Sequence, residues 1–294
     1  MSIPKSLSFI QQRFNFNHGI RKEIKMDWGL KNRLSQIIKA DGRSVMLAVD
    51  HGYFLGPTSG LEEPSKTIKP LLPFADSLML TRGILRTSVE TSTSVPIVLR
   101  VSGGNSIVGS DLSNEEIITS MEDAIRLNAA GVAISIYVGS EYEHQTLMSL
   151  ARLIDEGEKY GIPVLAVTAV GKEMARDARY LGLACRIAAE LGAHFVKTYY
   201  CEDFERVVKN SPVPLVIAGG KKIPEREALE LAYNAVQSGA AGVDMGRNIF
   251  QSDNPVGMIK AVRSIVHENS NVQDAFEIYN SRKNTAILTK SSRK

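Results

Sequence analysis

The chain has 294 residues, 44% hydrophobic and 23% charged, with a formal net charge of +3 at pH 7, part of it from Lys290, Arg293 and Lys294 at the C-terminal end. Such a composition fills a full globular core without disulfides or a structural metal. It shows no basic stripe with interleaved aromatics, so no nucleic-acid partner is expected.

In chain order, residues 1–28 read as an N-terminal extension, whose Phe9, Ile10, Phe14 and Phe16 suit an oligomer contact better than free exposure. Short apolar runs bounded by Gly, Pro or polar residues then predict four strands, at Ser44–His51, Ser77–Thr81, Pro96–Val101 and Val132–Val138. Four more follow at Pro163–Thr168, Phe195–Tyr199, Pro214–Ala218 and Gly242–Met245. The runs are nearly all apolar instead of alternating, as in strands buried on both faces. Between them, helical periodicity covers 114–130, 143–160, 173–191, 225–238 and 255–267. Ser113 with Glu116 suggests a capping box before the first of these, and Gly131, Gly161, Gly192 and Gly239 each close a helix before the next strand. Eight strand–helix units in about 250 residues match an α/β (β/α)8 TIM barrel better than an open doubly wound sheet. One domain, 29–280, is expected, with a polar tail over 281–294.

No apolar run reaches the roughly 18 residues of a membrane helix, and residues 1–28 lack the apolar stretch of a signal peptide. Cys185 and Cys201 are spaced neither as metal ligands nor as a redox pair. The expectation is a reduced, cytoplasmic protein with no membrane contact, and no cluster of side chains reads as a metal site.

Lys197 lies inside the apolar run His194–Tyr200, where a solvated lysine has no reason to be. Burying an amine favours its neutral, nucleophilic form, as imine chemistry requires. Half of a buried ion pair, or a charge guarding a strand edge, is the plain alternative. Barrel active sites form at the C-terminal ends of the strands. Asp50 and His51 end the first strand, Gly219 and Gly220 the seventh, Gly246 and Arg247 the eighth, so they converge with Lys197 on one mouth. Glycines after strands seven and eight let backbone approach a phosphate, and Arg247 adds a charge-assisted fork; ordinary turn glycines are the alternative. Asp50 could pair with Lys197 and handle protons or serve as a buried structural partner, and His51 could assist or cap the next loop. Ser102-Gly103-Gly104 ranks below the other glycines, having no arginine beside it. Arg82, Tyr137, Glu141, His144, Lys172 and Tyr199 lie near strand ends, and His18, His194 and His267 show no partner pattern. Cys201 reads as a small buried thiol more readily than as an acyl carrier, since no His and Asn arrangement accompanies it.

The segments Asp50-His51-Gly52, Val196-Lys197-Thr198, Ala218-Gly219-Gly220 and Met245–Gln251 (MGRNIFQ) resemble the class I aldolase family called DeoC/FbaB, over roughly residues 27–280. Within it, Met26–Gly29, Asp50–Phe54, Leu80–Arg86, Val138–Gln145 and Lys197–Tyr200 are most similar to a thiolase branch acting on 3-hydroxy-5-phosphonooxypentane-2,4-dione, late in autoinducer-2 degradation. The resemblance implies a Schiff base on Lys197, a phosphorylated ketone substrate, and coenzyme A as co-substrate with no bound cofactor. It also implies cytoplasmic homo-oligomeric rings, often decamers. Where the family's sugar-phosphate aldolases carry a proton-transferring tyrosine at the end of strand five, this chain has Ala169. A Schiff-base aldolase on a phosphosugar and a non-catalytic sugar-phosphate sensor are the competing expectations.

Overall fold

Strands that are apolar on both faces must be covered on both, and the computed structural model, which describes residues 27–169 and 176–291, does so by closing the sheet on itself. Eight parallel strands pair in chain order: β1 (Ser44–Ala48), β2 (Ser77–Thr81), β3 (Ile97–Arg100), β4 (Gly131–Ile136), β5 (Val164–Thr168), β6 (Phe195–Thr198), β7 (Leu215–Ala218) and β8 (Gly242–Met245). β8 returns to β1 with Ser44 opposite Gly242 and Met46 opposite Asp244. Residues 1–26 of the N-terminal extension, His18 among them, and Lys172, Arg293 and Lys294 lie outside the described residues.

Helix α1 (Trp28–Ile37) precedes the barrel, and α2 (Gly52–Leu55), α3 (Pro64–Ile68), α4 (Arg82–Ser88), α5 (Met121–Arg126), α6 (Glu143–Tyr160) and α7 (Ala178–Glu190) serve its first six strands. α8 (Phe204–Asn210), α9 (Glu225–Gln237), α10 (Arg247–Phe250), α11 (Pro255–Glu268) and α12 (Val272–Ser291) complete the ring. α6 shows why the pattern works. Leu150, Leu153, Ile154 and Gly157 fall on one buried face, and Gly161 takes a left-handed φ of 67° that ends the helix.

Side chains inside the barrel step by two along each strand. Met46, Met79, Val98, Ala133, Leu165, Phe195 and Val216 form one apolar layer, which Ile37 at the end of α1 and the following Ile38 close from below. Two residues further along, the inward set turns polar: Arg100, Ser135 and Lys197 follow Val98, Ala133 and Phe195. The barrel thus has a dry floor and a charged upper chamber.

The helix expected over 114–130 is a correction. Residues 114–120 cross the mouth, Glu116–Ile117 pairs antiparallel with Ser102–Gly103, and only α5 is helical. The cap is Ser120, whose oxygen accepts from the Asp123 N–H at 3.2 Å, while the Ser113 hydroxyl donates to Asp111. The segment is drawn inward because Glu115 buries its carboxylate among hydrogen-bond donors of the upper chamber. Gly131 likewise opens β4 instead of closing a helix, and the left-handed residue there is Asn128. The boundary expected at 280 falls within α12, where Tyr279 is buried and stacks on Phe276.

Candidate active site

A cavity of about 250 Å³ opens at the C-terminal end of the strands. Asp50, His51 and Lys197 line it, as do Gly219, Gly220, Gly246 and Arg247, so all seven residues singled out from the sequence meet at one place. Tyr137, Tyr199 and Ala169 line it too, whereas Arg82 pairs with Asp123, and neither Glu141 nor His144 contributes to the wall.

Lys197 is 9% exposed, and its Nζ lies 2.9 Å from Oδ2 of Asp244 on β8. Among the described residues Asp244 is the only carboxylate within 4 Å of that nitrogen. Among the described residues no group other than Lys197 donates to either Asp244 oxygen, so the contact is a buried charge pair without the second interaction that usually fixes one. Burial pushes the Asp244 carboxyl above its ordinary range, with Lys197 opposing. From the sequence, Asp50 is either the partner of Lys197 or a buried structural carboxylate. It lies 3.7 Å from Arg100 and 3.9 Å from His51. Burial works to raise its pKa, but the charges of His51, Lys197 and Arg100 overcome it and hold the carboxyl below its usual range. His51 is driven the other way: burial lowers it to about 4, so it is a neutral imidazole at pH 7.

Arg100 and Glu115 make the opposite kind of pair, held in a network of further hydrogen bonds. Arg100 Nη2 donates to Glu115 Oε2 at 3.1 Å, to Tyr53 Oη at 2.5 Å and to Ser135 Oγ. Glu115, 1% exposed, also accepts from Tyr53 at 2.6 Å, Ser102 at 2.6 Å and Tyr137 at 3.0 Å. Ser102 is committed to this network and not to an anion. Burial pushes both phenols, Tyr53 and Tyr137, upward, so they remain protonated.

On the glycine rim, Asn248 Nδ2 donates to the Gly219 carbonyl at 2.6 Å and its Oδ1 accepts from the Ile223 N–H at 2.9 Å, pinning the loop after β7 to the start of α10. Gly220 has a φ of 71°, which favours glycine. A Cβ on Gly246 would run into the Ala48 carbonyl and the His51 ring. Arg247 is half-buried, and its Nε has no hydrogen-bond partner. A bare backbone beside a guanidinium with a spare donor has the chemistry to accept an anion.

Sequence reasoning missed Asp244, Arg100 and Glu115. For the first two the signal was the one that found Lys197, a charge inside an apolar strand. His194 and His267, read as lacking partners, have them: His194 Nδ1 accepts from the Val164 N–H, and His267 bridges Asp41 and Asp76. Cys201 is buried away from the cavity wall with its thiol pushed up, and burial drives Cys185 to about 12, so neither is poised as a nucleophile. Among the described residues no group of three or more His, Cys, Asp or Glu could hold a metal ion, and no helix is long and apolar enough to cross a membrane.

With this geometry in view, comparison with known proteins is direct. The profile described as DeoC/LacD family aldolase matches residues 44–252. The chain belongs to this family. A relative from Escherichia coli (strain K12) described as 3-hydroxy-5-phosphonooxypentane-2,4-dione thiolase is 57% identical over 260 residues, covering 88% of this chain and 89% of its own. One of the same description from Photorhabdus laumondii subsp. laumondii is 56% identical with the same coverage. Among solved structures, an archaeal fructose 1,6-bisphosphate aldolase superposes with a TM-score of 0.74 at 27% identity, covering 81% of this chain and 99% of that one. Another archaeal structure, with its catalytic Lys covalently bound to the carbinolamine intermediate of its substrate, gives 0.73 at 26% identity, with coverage of 81% and 99%.

Proposed function

We propose that this protein is a thiolase that cleaves 3-hydroxy-5-phosphonooxypentane-2,4-dione with coenzyme A, giving acetyl-CoA and dihydroxyacetone phosphate, in the breakdown of phosphorylated autoinducer-2. The observation that carries the reading is Lys197, buried beside a carboxylate in a cavity rimmed by bare glycines and Arg247, in a chain 57% identical over 88% of its length to a relative of that description.

The substrate phosphate rests on Gly219, Gly220, Gly246 and Arg247, which puts the C4 ketone next to Lys197. Lys197 condenses with C4, water leaves, and the resulting iminium sits one carbon from C3. The thiolate of coenzyme A adds to C2. As that adduct collapses, the C2–C3 bond breaks, its electron pair flows into the iminium to give an enamine, and the acetyl group departs on sulfur. The enamine takes a proton at C3, which balances the one lost by the thiol, and hydrolysis of the imine frees dihydroxyacetone phosphate. Asp50, ionised, and His51, neutral, flank the chamber as the groups that handle the C3 proton. Coenzyme A is a co-substrate here, with no resident cofactor, and the working form is a cytoplasmic homo-oligomer.

The test is acetyl-CoA formation from the diketone. Product that appears only with coenzyme A supports the thiolase. Coenzyme-independent cleavage or joining of a phosphosugar points to a Schiff-base aldolase, and binding without turnover to a sensor.

A further inference from the structure

Making an imine requires two proton movements that Lys197 cannot perform alone. The ammonium must shed a proton before it attacks, and the carbinolamine oxygen must gain one before it leaves as water. Among the described residues the end of β5 offers the chamber wall Val167, the methyl group of Ala169, and a Thr168 hydroxyl that already donates to Thr198 Oγ1 at 2.9 Å. Asp50 is engaged by Arg100, and the phenols of Tyr53 and Tyr137 donate to Glu115. Asp244 differs from all of these. It lies on the cavity wall, 1% exposed, 2.9 Å from the reacting nitrogen, and neither oxygen accepts a hydrogen bond from any described group other than Lys197.

We propose that Asp244 is a catalytic acid–base of this site, taking the Lys197 proton as the amine attacks and returning it to the carbinolamine hydroxyl. The step balances. Lysine ammonium and carboxylate become amine and carboxylic acid; nitrogen adds to the carbonyl carbon, and the carbonyl π pair moves to oxygen, which takes a proton from nitrogen. Asp244 then protonates that hydroxyl, the C–O bond breaks, and the nitrogen lone pair forms the iminium, leaving water, an iminium cation and the carboxylate. A net charge of zero is kept throughout the pair. The raised pKa of Asp244 suits a group that must hold a proton for part of the cycle. The role rests on the imine reading above and extends it to a residue two strands away from Lys197 in the barrel.

The experiment is a time course of borohydride trapping with dihydroxyacetone phosphate and no coenzyme A, read as the adduct on the Lys197 peptide. In Asp244→Asn the rate of adduct formation should fall by about 10²-fold or more. Because removing one member of a buried pair can unfold a protein, Asp244→Ala with added formate is the second arm: formate should speed trapping by filling the vacated site with a carboxylate. Trapping at the wild-type rate in Asp244→Asn, or formate without effect on folded Asp244→Ala, overturns the role. An adduct absent from wild type itself would instead overturn the imine reading, and the two failures are therefore distinct.

Discussion

Glu115→Gln is the perturbation whose size the structure sets most directly. The carboxylate accepts from Arg100, Tyr53, Tyr137 and Ser102, and both it and Arg100 are at most 3% exposed. An amide keeps one acceptor oxygen but turns its nitrogen toward groups that are themselves donors, and it removes the charge facing Arg100. Uncoupling one side of a buried ion pair costs about 3–5 kcal/mol, and each donor left orphaned adds on the order of 1 kcal/mol. Asp50, at 3.7 Å, compensates Arg100 in part, so the lower end, about 3 kcal/mol, is expected. For a domain of this size that corresponds to a fall in Tm of roughly 6–12 °C. Urea denaturation followed by circular dichroism gives the midpoint and slope. The midpoint should drop with the slope unchanged, whereas Glu90→Gln, at the exposed Lys69–Glu90 pair, should leave it where it was. A Glu115→Gln midpoint equal to that of wild type would refute the view that this network holds the upper chamber together.

His51 predicts a pH dependence. Its folded pKa is about 4 against an ordinary 6.5, so between those values the unfolded chain binds a proton that the folded protein excludes. Stability contributed by His51 is therefore full above about pH 6.5 and is lost as pH falls toward 4, by about 3 kcal/mol, and His51→Gln should flatten that slope in denaturation midpoints measured across the window. Arg247→Ala should chiefly raise the KM for the phosphorylated substrate, whereas Lys197→Met should abolish turnover while leaving inorganic phosphate binding intact by calorimetry. Gly246→Ala should weaken the same phosphate binding, because its methyl displaces either the Ala48 carbonyl or the His51 ring. Cys201→Ser should keep wild-type turnover in the acetyl-CoA assay.

Much of the fold was legible because a parallel barrel writes itself as eight apolar runs of similar length, and each predicted run overlaps one observed strand. The ladders end earlier than the hydrophobic runs at β1 and β4, since residues such as Val49 and Tyr137 continue apolar while leaving the sheet for the mouth. The segment 114–120 misled for a physical reason. Its local sequence is compatible with a helix, but Glu115 contacts Arg100, Tyr53 and Tyr137 from far along the chain, and no local pattern reports that. The seven singled-out residues that line the cavity were legible because six of them punctuate strand ends with a polar side chain or glycine and Lys197 sets a charge inside an apolar strand. Asp244 sits in the middle of Gly242–Met245, where a short strand hid it, and its register opposite Ala218 of β7, with Lys197 opposite Val216 of the same strand, brings it beside Lys197.

The most direct test of the central claim is borohydride reduction of the wild-type protein during incubation with 3-hydroxy-5-phosphonooxypentane-2,4-dione in the absence of coenzyme A, followed by peptide mass mapping. A reduced adduct confined to the peptide carrying Lys197, lost in Lys197→Met, is the predicted result. An unmodified Lys197 peptide from protein that demonstrably binds the diketone would contradict it.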